Sequence, residues 1–477
     1  MTVLAIDQGT SGTKAIVVDD AGEVLAIAES TLRPAYLAGG GVEQDPQALL
    51  DSILDTGRRA VADAGRPVDT VSVANQGETV LAWDRATGAP LSAAIVWQDS
   101  RSDALCRSLS ASKEWVGRKT GLVLDPYFSA PKMAWLRQNV TTRGVVTTTD
   151  VWLAHHLTGT AFVTDVTTAS RSLLTDIDTT EWDCELLELF GLDHEPLPTI
   201  VANDAVVGTT TAFGAPAAVG GLIVDQQAAL LAQRCTSPGS AKCTFGTGVF
   251  LLANVGAAPV RPTSGLTCSV AWNLRGETAY CVDGQAYTAA SAIRWITDLG
   301  LIDSPADLDA VAAPDAGGVL FVPALAGLAS PWWRPDATAT FTGMTLSTTR
   351  EHLVTAVIEG VAAQTAELLG SVSADLDAPL RSLRVDGGLT RSQRLMQALA
   401  NLTGLPIEVY PSAHATALGA AACARLSGDP HLTLAEAVPD PASQPIYQPQ
   451  WSADQADDFR SRWLTVVAAS LPRERHA

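Results

Sequence analysis

The chain opens on short apolar runs broken by Gly, Thr and Asp, a pattern of strands and tight turns, not of helices. Residues 2–7 predict a strand ending on Asp7, and Gln8-Gly9-Thr10-Ser11-Gly12-Thr13-Lys14 predicts a turn. Residues 15–18 and 23–28 complete a meander around the Asp19-Asp20-Ala21-Gly22 turn. The arrangement recurs at mid-chain. Leu222-Ile223-Val224 reads as a buried strand delivering Asp225-Gln226, with a helix starting at Gln227. After the Ser237-Pro238-Gly239 break a second hairpin, residues 241–252, turns on Gly246-Thr247-Gly248. A third glycine turn, Gly387-Gly388, follows a strand over 382–385 and precedes a helix with Leu395, Met396, Leu399 and Leu402 on one face.

These turns offer backbone N–H and side-chain O–H groups of the kind that cradle phosphate, with Lys14 in reach and Asp7 placed to hold Mg²⁺. The first is not a Walker loop, because G-x-x-x-x-G-K-[ST] is absent; alone, it reads equally well as an ordinary hairpin. Its recurrence predicts a duplicated domain with a nucleotide between the copies, divided near the break into residues 1–234 and 235–477. Asp225 then stands on one wall of the cleft and the Gly246–Gly248 turn on the other. The helix N-terminus after Gly388 is a further candidate nucleotide site.

Between the hairpins lie segments suited to a substrate. Residues 71–83 read as strand, a polar Asn75-Gln76-Gly77-Glu78-Thr79 break, and strand. A buried strand ends on Trp97-Gln98-Asp99, and a loop carrying Tyr127 enters a helix. Taken alone, Trp97 and Tyr127 read as core aromatics before pocket residues, but polar neighbours at strand ends tilt the reading towards a pocket. Residues 208–221, rich in Gly, Ala and Thr, read as surface loop, and 439–451 as a Pro-rich segment before a C-terminal helix.

Composition narrows the choice. At 477 residues with 47% hydrophobic and 17% charged positions, the chain predicts two or three folded domains. A net charge of −20 argues against a nucleic-acid or anionic-membrane partner. The seven cysteines form no C-x-x-C pair, and the seven histidines show no metal spacing. The start of the chain lacks a basic region and cleavage site, and no apolar run reaches membrane length, so a cytoplasmic protein is expected.

Together the segments resemble the FGGY family of carbohydrate kinases, most closely its glycerol-kinase branch. The carriers are DQGTSGTK (7–14), NQGETVLAWD (75–84), AIVWQDSR (94–101), YFSAPKMAWL (127–136), DQQAAL (225–230), KCTFGTGVF (242–250), GLASPWWRPDA (327–337), VDGG (385–388) and TALGAA (416–421). The resemblance implies two actin-like (ribonuclease-H-like) α/β domains closing on ATP and a sugar or polyol. It implies Asp225 as general base, sharing Mg²⁺ with Asp7. Thr10, Ser11, Thr13, Lys14 and the Gly246-Thr247 amides would steady the phosphates. Gly387, Gly388 and Ser392 at the following helix would hold the adenosine, with Ala290 and Arg294 alongside. Glu78, Gln226, Tyr127 and Phe250 would line the polyol site, Trp97 its aromatic wall. A homodimer or homotetramer is implied, without the number being fixed.

Three departures stand out. Gly77 occupies a position where glycerol kinases carry Arg, which removes a fixed donor and opens volume. A longer polyol or ketose, with four or five carbons, could use that space; the alternative is a glycerol kinase in which another cation replaces the Arg. Ala290 and Arg294 replace Gly and Gln beside the nucleotide, and Thr338-Ala339 replaces an Arg-Gly pair. Two other readings remain at this point: Asp225 as a helix N-cap, and the whole chain as an actin-fold ATPase used as a switch or scaffold.

Overall fold

The computed structural model describes residues 1–376, 379–438 and 445–471. In the first sheet, Val3–Gly9 (β1), Gly12–Val18 (β2) and Val24–Thr31 (β3) form the expected antiparallel meander. Thr70–Asn75 (β4) and Ala217–Val224 (β5) join it in parallel. The spatial order is β5-β4-β1-β2-β3, with Val206–Thr210 outside β5. The second sheet repeats the plan. Ala241–Phe245 (β6), Val249–Gly256 (β7) and Glu277–Ala286 (β8) form a meander, and Leu383–Asp386 (β9) and Ile407–Val409 (β10) add in parallel. Its order is β8-β7-β6-β9-β10, extended by Thr267–Leu274 at one edge and Ile446–Tyr447 at the other. Duplication of an actin-like core is therefore explicit in the strand order.

The helices that position the site are Pro46–Ala64 (α1), Val166–Ser170 (α2), Asp225–Ala232 (α3), Ala290–Asp298 (α4), Arg350–Asp375 (α5), Gln393–Thr403 (α6) and Ala415–Gly428 (α7). Asp45 caps α1 by accepting from the Gln47 N–H, and Gly65 closes it in the left-handed conformation. Every residue of β4 is buried, because helices cover both faces of its sheet and leave no solvent side to alternate with. Among the described residues α5 alone is long and apolar enough to cross a membrane; 78% of that stretch lies buried inside the protein, as a core helix does. The Pro-rich residues 439–444 lie outside the described residues; the helix expected after them spans Ala453–Ser470.

Helix α7, from the second half of the chain, crosses back onto the first sheet. Its Ala417, Ala421 and Ala424 pack on Val3, Ala5, Ile16 and Val18. Small residues let the backbones approach closely. A Cβ on Gly419 would stand 1.9 Å from the carbonyl oxygen of Ala228 in α3. A Cβ on Gly221, which has a φ of +77°, would stand 2.8 Å from the Ala424 nitrogen. This corrects the reading of 208–221 as surface loop. The segment is largely a hairpin, Val206–Thr210 against β5, and its Gly221 serves the close approach of α7.

A smaller five-stranded sheet carries the substrate-side segments, in the order Ala35–Tyr36, Val42–Gln44, Ala94–Ile95, Val80–Trp83, Val145–Thr148. Loops at its strand ends carry residues 76–79 and 97, and the loop before the helix Ser129–Asn139 brings residue 127 to them. Gly419→Ala is expected to destabilise the fold by roughly 1–3 kcal/mol through the α3–α7 contact, read as a lowered melting temperature. An unchanged value would mean that the two helices move apart without cost.

Candidate active site

Asp225 is the first residue of α3, directly after β5. Val224 is the N-cap and no side chain caps the helix, so the structural N-cap reading of Asp225 is not what the fold uses it for. Its carboxylate instead enters a cavity of about 110 Å³ whose lining includes Thr10, Glu78, Trp97, Tyr127, Gln226 and Phe250. Two larger hollows, of about 530 and 660 Å³, lie elsewhere, and neither has more than one charged side chain in its lining. The convergent chemistry is in the small one.

Burial raises the Asp225 carboxyl to about 7, with repulsion from Asp7 and Glu78 acting in the same direction and Lys242 opposing them. Burial likewise raises Asp7 to about 6. Two half-buried carboxyls that resist ionisation near one another suit a divalent cation held by one or two carboxylates and substrate phosphates. Among the described residues no group of three His, Cys, Asp or Glu side chains is placed to hold a metal ion.

The aromatic wall is built edge to face. Trp97 meets Tyr127 at 5.4 Å and 61°, and Phe250 of β7 at 5.9 Å and 83°. Its indole N–H donates to the Thr10 hydroxyl at 2.8 Å, and Gln44 donates to the Thr10 carbonyl at 2.8 Å. The Thr10 hydroxyl, having accepted, keeps its proton to donate, and the first glycine turn is thereby tied to the substrate wall. Gln226 accepts from buried Lys242, which leaves its amide N–H₂ free to face the cavity. Burial lowers the Lys242 pKa, partly offset by Asp386.

The second glycine turn is stitched to α4. The Gly246 carbonyl accepts from the Ala290 N–H at 3.1 Å, and the Thr247 carbonyl from Ala289 at 2.9 Å. Exposed Arg294 lies one helical turn beyond Ala290. At the third turn Gly387 has a φ of +97°, and a Cβ there would stand 2.3 Å from the Phe245 carbonyl oxygen, so only glycine fits. Gly388 beside it is exposed and open.

Two expected contacts are corrected. In β2 Lys14 pairs with Asp7, so Thr13 points to the opposite face, where its hydroxyl meets Ser52 of α1 at 2.7 Å. Ser392 caps α6 and donates to Asp309, whose carboxylate also accepts from the Gln393 N–H at 2.7 Å. The α6 N-terminus thus already holds an anion supplied by the protein, and neither hydroxyl is presented to a nucleotide. Ser11 is exposed at the tip of its turn. Lys14 binds Glu29 at 3.1 Å and the Ala413 carbonyl at 3.2 Å, which ties it to the edge of the cleft.

The cavity also holds Gln76, from the polar 75–79 break, and residues the sequence reading passed over: Arg171, Asp283 and Gln285. Arg171 follows α2; its Nε donates to Glu78, and its Nη1 to Asp283 at 3.1 Å and Ser269 at 3.3 Å. Single charges set in apolar strands, as Lys242 and Asp283 are, must be paired when buried, and that was the available signal. Gly77, with a φ of +73°, is buried beside the cavity and not in its lining; a Cβ there would meet Val224, which does line it, at 3.6 Å.

Comparison with known proteins decides the family. Residues 2–232 match the N-terminal domain, and residues 241–427 the C-terminal domain, of the FGGY family of carbohydrate kinases. The chain belongs to that family. Glycerol kinase from Bordetella parapertussis is 40% identical, the match covering 100% of this chain and 98% of the relative. The glycerol kinase of Plasmodium falciparum, solved with ADP, superposes with a TM-score of 0.92 at 32% identity, over 99% and 98% of the two chains. Xylulose kinase from Lactobacillus acidophilus shares the fold, with a TM-score of 0.89 at 20% identity over 98% of each chain. This kinase is therefore an ATP-using phosphotransferase that acts on a hydroxyl group, and the switch or scaffold reading is set aside.

Trp97→Phe keeps the aromatic wall but removes the hydrogen bond to Thr10. At about 1 kcal/mol for such a bond, the KM for ATP should rise about fivefold with the melting temperature held. An unchanged KM would show that Thr10 needs no support from the wall.

Proposed function

We propose that this kinase transfers the γ-phosphoryl group of ATP to a hydroxyl of a small polyol or ketose, four or five carbons being favoured, with Asp225 as general base. The observation that carries the reading is the placement of a near-neutral carboxyl in one small cavity with Glu78, Gln226 and an aromatic wall. An alcohol proton is barely acidic, so a carboxylate in contact must remove it as the oxygen attacks. Asp225 takes that proton, the oxygen bonds to the γ-phosphorus, and the bond to the bridging oxygen breaks to release ADP. Asp7 and Asp225 would hold Mg²⁺, which neutralises phosphate charge when bound.

Thr10, Ser11 and the Thr247 amide would then face the phosphates, the Gly246 N–H being given to the Gly248 carbonyl at 2.9 Å, and Ala290, Arg294, Gly387 and Gly388 the nucleoside. Glu78 and Gln226 offer an acceptor and a donor to substrate hydroxyls. The missing side chain at Gly77, between the cavity-lining Gln76 and Glu78, favours a substrate longer than glycerol. A second reading, glycerol itself, is favoured by the Arg171 guanidinium in the cavity and by the glycerol kinases similar to this chain. The family resemblance further supports a cytoplasmic homodimer or homotetramer.

ADP release measured across glycerol, tetritols, pentitols and pentuloses separates the two substrates. A clear preference for four or five carbons supports the first reading; a clear preference for glycerol overturns it. Asp225→Asn should lower kcat at least about a thousandfold while ATP still binds, and near-normal turnover would remove Asp225 as the base. Because the base works ionised and its carboxyl is held at about 7, kcat/KM should fall as pH drops through neutrality and level off above it. A profile flat down to pH 5 would contradict this assignment.

A further inference from the structure

Arg171 is the one guanidinium among the described residues lining the cavity, which also holds the carboxylates of Glu78, Asp225 and Asp283. It is 6% exposed and lies near the rings of Tyr127 and Phe128, at 5.8 and 5.7 Å. Nε serves Glu78 and Nη1 serves Ser269 and Asp283, while Nη2 has no partner among the described residues. Glu78 belongs to the first half of the chain, and Ser269 and Asp283 belong to the second. The helix before Arg171 is anchored across the same divide, where the Val270 N–H donates to Ser170 at 3.1 Å.

We infer that Arg171 is a specificity-determining residue, donating from Nη2 to a substrate hydroxyl or carbonyl and holding Glu78 in its accepting orientation. The inference rests on the polyol-kinase reading and sharpens it. With its positive charge matched by two carboxylates, Arg171 recognises uncharged groups only. A sugar acid entering this cavity meets a surplus of negative charge and is rejected. The substrate is therefore a neutral polyol or ketose.

Two variants of the whole enzyme test this. Arg171→Lys keeps the charge but loses the planar fork, so it cannot serve Glu78, Asp283 and substrate at once. Its polyol KM should rise roughly ten- to a hundredfold, with the KM for ATP within about twofold and the melting temperature held. Asp283→Asn releases part of the charge on Arg171. The sugar acid of the same chain length as the best polyol should then inhibit at least about tenfold more tightly than it inhibits the unmodified enzyme.

A polyol KM unmoved by Arg171→Lys overturns the assignment. So does a rise in both KM values together with a lower melting temperature, which marks a structural role only. Sugar-acid inhibition equal in Asp283→Asn and the unmodified enzyme also overturns it, and that arm stands alone if the lysine variant does not fold. Failure of the unmodified enzyme to phosphorylate any polyol or ketose overturns the functional reading itself, and this assignment with it.

Discussion

The site depends on negative charge held where water cannot screen it. Asp7, Glu78, Asp225 and Asp283 come from four separate segments and converge behind a wall of aromatic rings. Burial makes ionisation of Asp7 and Asp225 expensive, and like charges nearby make it more so. Arg171 and Lys242 relieve part of that cost, Arg171 through direct ion pairs and Lys242 through its field at Asp225. The remainder appears as two carboxyls displaced toward neutrality, Asp7 and Asp225. A carboxyl so displaced is a better proton acceptor than an exposed one, and a pair of them awaits a cation.

The fold serves that convergence. Each half supplies a meander whose first turn is rich in glycine, and the duplication sets the two turns at the ends of corresponding strands, β1 and β6. Helix α7 crosses from the second half onto the first sheet through a face of alanine and glycine. Arg171 crosses the same divide in the opposite direction. The substrate cavity therefore draws lining from both halves, and a change in their relative position must alter it. That coupling is how substrate binding and closure around ATP can become one event.

The parts legible in the sequence were those written locally. Apolar runs bounded by glycine turns marked the first meander and the hairpin that opens the second, and Asp225 followed its strand as expected. The acid, the amide and the aromatics of the cavity were each visible as polar or aromatic positions at strand ends. Other parts were set by pairing over distance. Nothing near Arg171 in sequence announces Asp283, 112 residues away. Thr13 and Ser392 carried the right chemistry, but the pleat of β2 turned one toward α1, and Asp309 engaged the other. Residues 208–221 looked like loop because glycine and alanine usually mark one; here most of them pair as strands, and Gly221 makes room for α7.

The most direct measurement is a structure of the kinase with a non-hydrolysable ATP analogue, Mg²⁺ and its preferred polyol. The account predicts the reacting hydroxyl within about 2.6–3.2 Å of an Asp225 oxygen, facing the γ-phosphate. A hydroxyl held by Glu78 or Asp283 instead, with Asp225 farther away than one bridging water, would contradict it.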